Sequence, residues 1–168
     1  GKEFCIVGDI FLVWGVVGAF LDVLSQLVFT GRLRAEFLWI GAVALGLGIA
    51  YSTVRCRQLM RSHDRMSVRQ REYLNVLWLA IGVTVVAQLG GYQIFAAWAS
   101  AALWTISAAI VTLYAGLHGN RAGLIGGVVL MASLVAANFS PHYEGFILAG
   151  GMLLGYAGFG LSAMLARD

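Results

Sequence analysis

Charge is scarce in this sequence. Of its 168 residues only 11% are Asp, Glu, Lys or Arg, while 60% are hydrophobic. A soluble domain carries about 25% charged residues, and one core of this size could not hide so much apolar surface from water. With a mean hydropathy of +0.84, the solvent for most of these side chains is lipid. Cysteine is also rare. Cys5 and Cys56 give neither a disulfide framework nor zinc-ligand spacing, and no metal site is expected. The only lysine is Lys2, so the buried lysine that a retinal Schiff base needs is missing and a rhodopsin is excluded. None of the three histidines lies inside an apolar run: His63 falls in the polar stretch 55–72, and His118 and His142 fall at the ends of runs. Paired histidines inside a bundle, as a membrane haem requires, are absent. A single axial ligand to a chlorophyll-type pigment from His118 stays open, and the cofactor is otherwise unknown. No glycine-rich phosphate loop, Gly-x-Ser-x-Gly elbow or His-Glu-x-x-His pattern occurs, so no enzyme is expected. The chain opens on Gly1 rather than methionine, which leaves a removed upstream segment open.

What is present is a succession of apolar runs, at about 5–30, 37–54, 73–89, 92–117, 122–139 and 141–166. A helix needs roughly 20 apolar residues to cross about 30 Å of hydrocarbon. The runs are too long for membrane strands of about ten residues and lack strict alternation. Helices also satisfy their own backbone hydrogen bonds, as lipid demands. The expected fold is therefore all-α: a single polytopic transmembrane helical bundle with six helices and short loops. Several runs lie so close together that a count of five stays open. Ser67 and Gln70 read as a capping box opening the third helix. Gly90-Gly91 marks a tight turn, and Ser140-Pro141, with the sole proline, starts the sixth helix.

The arginines set the orientation. The stretch 55–72 reads as a basic loop holding Arg55, Arg57, Arg61, Arg65, Arg69 and Arg71. With six helices, Lys2, Arg121 and Arg167 fall on the same side, against Arg32 and Arg34 opposite. Loops rich in Lys and Arg stay cytoplasmic, so this loop and both termini are placed in the cytoplasm and the chain in an inner membrane. Cys56, Leu59, Met60, His63 and Met66 recur at helical spacing and suggest a short amphipathic surface helix. Its arginines would meet anionic headgroups or an acidic partner. The loop is too short for a nucleic-acid-binding fold, so no nucleic acid is expected.

Asp22 lies inside the first helix, roughly 12 Å from its outer end. An acid near the bilayer centre costs about 2.5–3.5 kcal/mol, which the neighbouring Leu, Ile, Val and Phe residues offset. It must therefore face protein or water, and Ser25 and Gln26 share its face. Asp22, Gln26, Gln88 and Asn138 are candidates for an outward polar pocket, but the reading preferred from the sequence is a set of interhelical hydrogen bonds that hold the bundle together. Asp9, near the other end of that helix, is expected to pair with an arginine of the basic loop. Small residues four apart, at Gly15/Ala19, Ala42/Gly46, Gly123/Gly127 and Gly151/Gly155, suit close helix packing in lipid.

The arginine-rich loop after helix two, the glycine hairpin between helices three and four, and the glycine- and aromatic-rich last helix (Gly150 to Gly160) resemble those of small six-helix bacterial inner-membrane proteins. That resemblance implies a bacterial membrane and supplies no activity or functional residues. Two functions are carried forward. One is a non-catalytic accessory or scaffold subunit that packs against other membrane proteins. The alternative is a small-solute or ion transport component, similar in size to the six-helix substrate-capture subunit of a vitamin transporter, with Asp22 in its pocket.

Overall fold

The computed structural model describes residues 8–61, 66–90 and 99–166. They form an all-helical bundle of six helices. These are α1 (Gly8–Phe29), α2 (Leu38–Arg61), α3 (Val68–Gly90), α4 (Ala99–Leu117), α5 (Arg121–Phe139) and α6, which spans 144–165. Four stretches are long and apolar enough to cross a membrane: Gly8–Phe29, Ala35–Arg61, Arg121–Phe139 and Pro141–Leu165. The apolar part of α4, Ala101–Leu117, is shorter. The protein is thus a helical membrane protein.

The helix ends follow from local chemistry. Gly31 and Gly119 adopt φ of 75° and 89°, a conformation that costs glycine little because it has no Cβ. Each closes a Schellman turn. After α1, the Arg32 N–H donates to the Leu27 carbonyl at 2.9 Å; after α4, the Asn120 N–H donates to the Ala115 carbonyl at 3.1 Å. Asn120 then caps α5 by accepting from the Gly123 N–H at 3.1 Å. The expected capping box is present: the Ser67 N–H donates to Gln70 Oε1 at 2.9 Å, and the Gln70 N–H to Ser67 Oγ at 3.2 Å.

Two expected boundaries move. The second helix does not stop near Val54 but runs on to Arg61. Arginine is a good helix former, and cations at a helix C-terminus complement its dipole, so the end of the apolar run is not the end of the helix. Arg55, Arg57 and Arg61 therefore ride on the last turns of α2, while Arg69 and Arg71 lie on the first turn of α3. The amphipathic segment expected from Cys56 is in its first part a continuation of α2, with Leu59 buried and Met60 exposed. His63 and Arg65 lie outside the described residues, as do Gly91 and Gln93. At the last helix, Pro141 opens a 3-10 turn (Pro141–Tyr143) and the Ser140 side chain makes no capping bond. The α-helix itself begins at Glu144.

The helices neighbour one another in the order α2, α1, α6, α5, α4, α3. α6 is central, between α1 and α5. A Cβ on Gly15 would stand 2.5 Å from the Ala157 backbone nitrogen, and one on Gly126 would stand 2.5 Å from the Gly155 carbonyl oxygen. Both α6 residues belong to its π-helical segment, Met152–Ala157, so this wider turn meets two neighbours at once. Three of the four small-residue pairs are used in this way, at Gly15/Ala19, Gly123/Gly127 and Gly151/Gly155, all of them buried. The fourth is not, since Ala42 and Gly46 are exposed on α2. Near one end of the bundle Phe11 gathers the core. Its ring lies 4.9 Å from Tyr156 and 5.0 Å from Phe159, both edge-to-face, and 5.9 Å from Tyr73 of α3. Such aromatic pairs contribute about 0.5–1.5 kcal/mol each beyond burial.

Gly15→Leu should push α1 off α6 and lower stability by about 1–3 kcal/mol. Gly46→Leu, at an open position, should stay within about 0.5 kcal/mol of wild type. Unfolding by sodium dodecyl sulfate in mixed micelles measures both, and equal losses would refute the packing assignment.

Candidate functional site

The polar side chains of α1 form two clusters, one toward each end of the helix. Toward its C-terminal end Gln26 is 7% exposed. Its Nε2 donates to the His142 carbonyl at 2.6 Å, and its Oε1 accepts from the Gly145 N–H at 3.0 Å. The first backbone N–H groups of a helix have no partner within it, so Gln26 satisfies the start of α6 from a different helix. Gly145 makes room for this: a Cβ there would stand 2.5 Å from Gln26 Cβ and 2.8 Å from the Asp22 carbonyl oxygen.

Asp22 lies one turn before Gln26 on the same face of α1 and is half-buried. Among the described residues its carboxyl has no hydrogen-bond or ion-pair partner. Asn138 does not join this pair; it is exposed on the last turn of α5, beside the buried Ala137. Gln88 falls in the last turn of α3, and its side chain lies outside the described residues. Thr84, one turn before Gln88 on α3, is buried and donates to its own helix at the Ala80 carbonyl, 2.8 Å away. Ser107 of α4 reaches the same carbonyl at 3.3 Å. The structure thus brings together Asp22 and Gln26 of the four candidates and puts the Gln26 amide to use as a helix-to-helix clamp.

The second cluster ties α1 to α2. Asp9 pairs with Arg55, its Oδ2 lying 2.5 Å from Arg55 Nε. The Tyr51 hydroxyl donates to the same carboxylate at 2.6 Å. Arg55 Nη1 donates onward to Gln58 Oε1 at 2.8 Å. One turn along α1 from Asp9, Trp14 Nε1 donates to Ser52 Oγ at 2.6 Å. The expected pairing of Asp9 with a basic residue is present, but from α2 rather than from a loop. From the sequence Tyr51 reads as an aromatic residue near the cytoplasmic boundary and Ser52 only as part of an apolar run. Their spacing to Arg55, one turn apart on a helix that continues past Val54, was the signal that could have found them.

Arg57, Arg61, Arg69 and Arg71 are exposed, and Arg65 lies outside the described residues. His118 is exposed at the end of α4, its Nδ1 2.9 Å from the Tyr114 carbonyl and its ring 4.4 Å from that of Tyr114. Among the described residues no three His, Cys, Asp or Glu side chains gather as a metal would need. A groove of about 540 Å³ runs between α1 and α2, lined by Val13, Val17, Leu47, Gly48, Ala50, Tyr51 and Val54. No protein family, curated protein or solved structure matches the chain.

Gln26→Leu should strand the Gly145 N–H and the His142 carbonyl in an apolar setting and cost about 1–3 kcal/mol. Asn138→Leu should cost less than about 0.5 kcal/mol. The same detergent unfolding titration reads both, and a neutral Gln26→Leu would show that the clamp contributes little.

Proposed function

We propose that this chain is a non-catalytic accessory or scaffold subunit that packs against other membrane proteins in a larger assembly. The observation that carries the reading is the outward face of α2. This helix leans mainly on α1, and most of its residues are exposed. Ala42 and Gly46 lie on its open side, with no atom within 4 Å of where a Gly46 Cβ would stand. Trp39, Val43 and Ile49 flank them, all exposed. Small residues four apart let helix backbones approach in lipid. The three other pairs of this kind serve that purpose inside the bundle, which supports the same use for the fourth between chains.

A second reading, a small-solute or ion transport component, is favoured by Asp22. An acid inside a membrane helix is costly and marks function more often than chance. One purification of the full chain in mild detergent tests both readings. The scaffold reading expects a stoichiometric assembly on a native gel, reduced to the lone chain by Gly46→Ile with the lone chain's stability unchanged. The transport reading expects a small molecule held by the monomeric wild type and released by Asp22→Asn. A wild type that runs as a bare monomer under the gentlest extraction sinks the first; an empty monomer sinks the second.

The arginine-bearing end of α2 and both termini are proposed to face the cytoplasm of a bacterial inner membrane, on the asymmetry of the arginines. An impermeant maleimide applied to intact cells should fail to label a cysteine at position 57 and should label one at position 34. The reverse pattern would overturn the orientation.

A further inference from the structure

The groove between α1 and α2 is apolar along its length and charged at one end. On α2 a single line of residues one turn apart runs Leu47, Tyr51, Val54, Gln58, Arg61. The first three line the groove with Val13 and Val17 of α1; the last two continue beyond it. From Leu47 to Val54 is roughly 10 Å of helix, within one leaflet's share of about 30 Å of hydrocarbon. Arg61 lies roughly 10 Å further on, at the level of the headgroups.

Among the described residues, the charge left without an ion-pair partner at that end is positive. Asp9 engages Arg55, and Arg55 in turn holds Gln58 by its amide oxygen at 2.8 Å. Arg57 and Arg61, one turn apart on α2, are exposed, and neither has an ion-pair partner among the described residues. An apolar slot open to the bilayer, continued by a neutral amide and exposed guanidinium groups, matches the shape and charge of one kind of occupant. Its hydrocarbon would lie along the slot, and its phosphate would take charge-assisted hydrogen bonds from arginine.

We infer that the α1–α2 groove is a binding site for one anionic phospholipid. Its acyl chain lies along Val13, Val17, Leu47 and Val54, and its phosphate rests against Arg61 and Arg57. Ala50, at the edge of the groove, lies one turn from Gly46 on α2, so the groove borders the Ala42/Gly46 face; the residues assigned to the lipid are none of those that carry the proposed scaffold role, and the site goes beyond that role.

The test is native mass spectrometry of the full chain in mild detergent, titrated with phosphatidylglycerol or phosphatidylcholine. Wild type should retain one phosphatidylglycerol in preference to phosphatidylcholine. Arg61→Gln should weaken phosphatidylglycerol about fivefold, the effect of one arginine near a lipid surface, and leave phosphatidylcholine unchanged. Val54→Trp, which fills the slot from an exposed position two turns beyond Gly46, should weaken both lipids, while Leu154→Phe on the exposed side of α6 should weaken neither. Equal retention of the two lipids by wild type, full phosphatidylglycerol affinity in both Arg61→Gln and Val54→Trp, or a second copy of the chain in place of lipid would each overturn the assignment.

Discussion

The backbone of α6 lies directly against those of α1 and α5, with almost no side chain between them. At Gly15 and at Gly126 a single added carbon would stand 2.5 Å from backbone atoms of the facing helix. In lipid there is no hydrophobic gain from bringing two apolar helices together, because the acyl chains are as apolar as leucine. What remains is dispersion between closely spaced atoms, individually small and collectively large, and it falls away steeply with separation. The order of the bundle follows from this constraint. α6 supplies small residues on two sides, and its π-helical segment carries both Gly155 and Ala157, so one helix can approach two neighbours at backbone distance.

Once that contact is made, the polar groups of α1 have few places to go. Gln26 meets the opening turn of α6 because Gly145 leaves room for its side chain. Asp9 meets Arg55 and Tyr51 because α2 runs back along α1, its later turns reaching the opposite end of that helix. Removing one partner of such a pair in a membrane would leave a bare polar group in hydrocarbon. The clamps therefore set the register of α1 against α6 and α2 more than they add net stability. α2 is the exception to the close packing. It is attached through the Asp9 cluster, the Trp14–Ser52 bond and apolar contacts, and it leaves both a groove beside α1 and an open small-residue face to the membrane.

Composition alone placed this chain in lipid, and the length of its apolar runs required helices. The physical reason is that hydrocarbon accepts no unsatisfied backbone, so a long apolar run has one local solution. The Ser67–Gln70 capping box and the pairing of Asp9 with a basic residue were equally legible, because each depends on residues near in sequence or on a charge that must find its opposite. Tertiary structure decided the rest. Gln26 finds its partners in backbone groups more than a hundred residues away, at His142 and Gly145, and no pattern in the side chains announces them. Gly151/Gly155 and Ala42/Gly46 have the same spacing and similar surroundings in sequence, yet one pair is buried and the other exposed. Spacing shows that a helix has a face fit for close approach. Which face meets a neighbour depends on how all the helices pack together, and that is settled only by the three-dimensional arrangement.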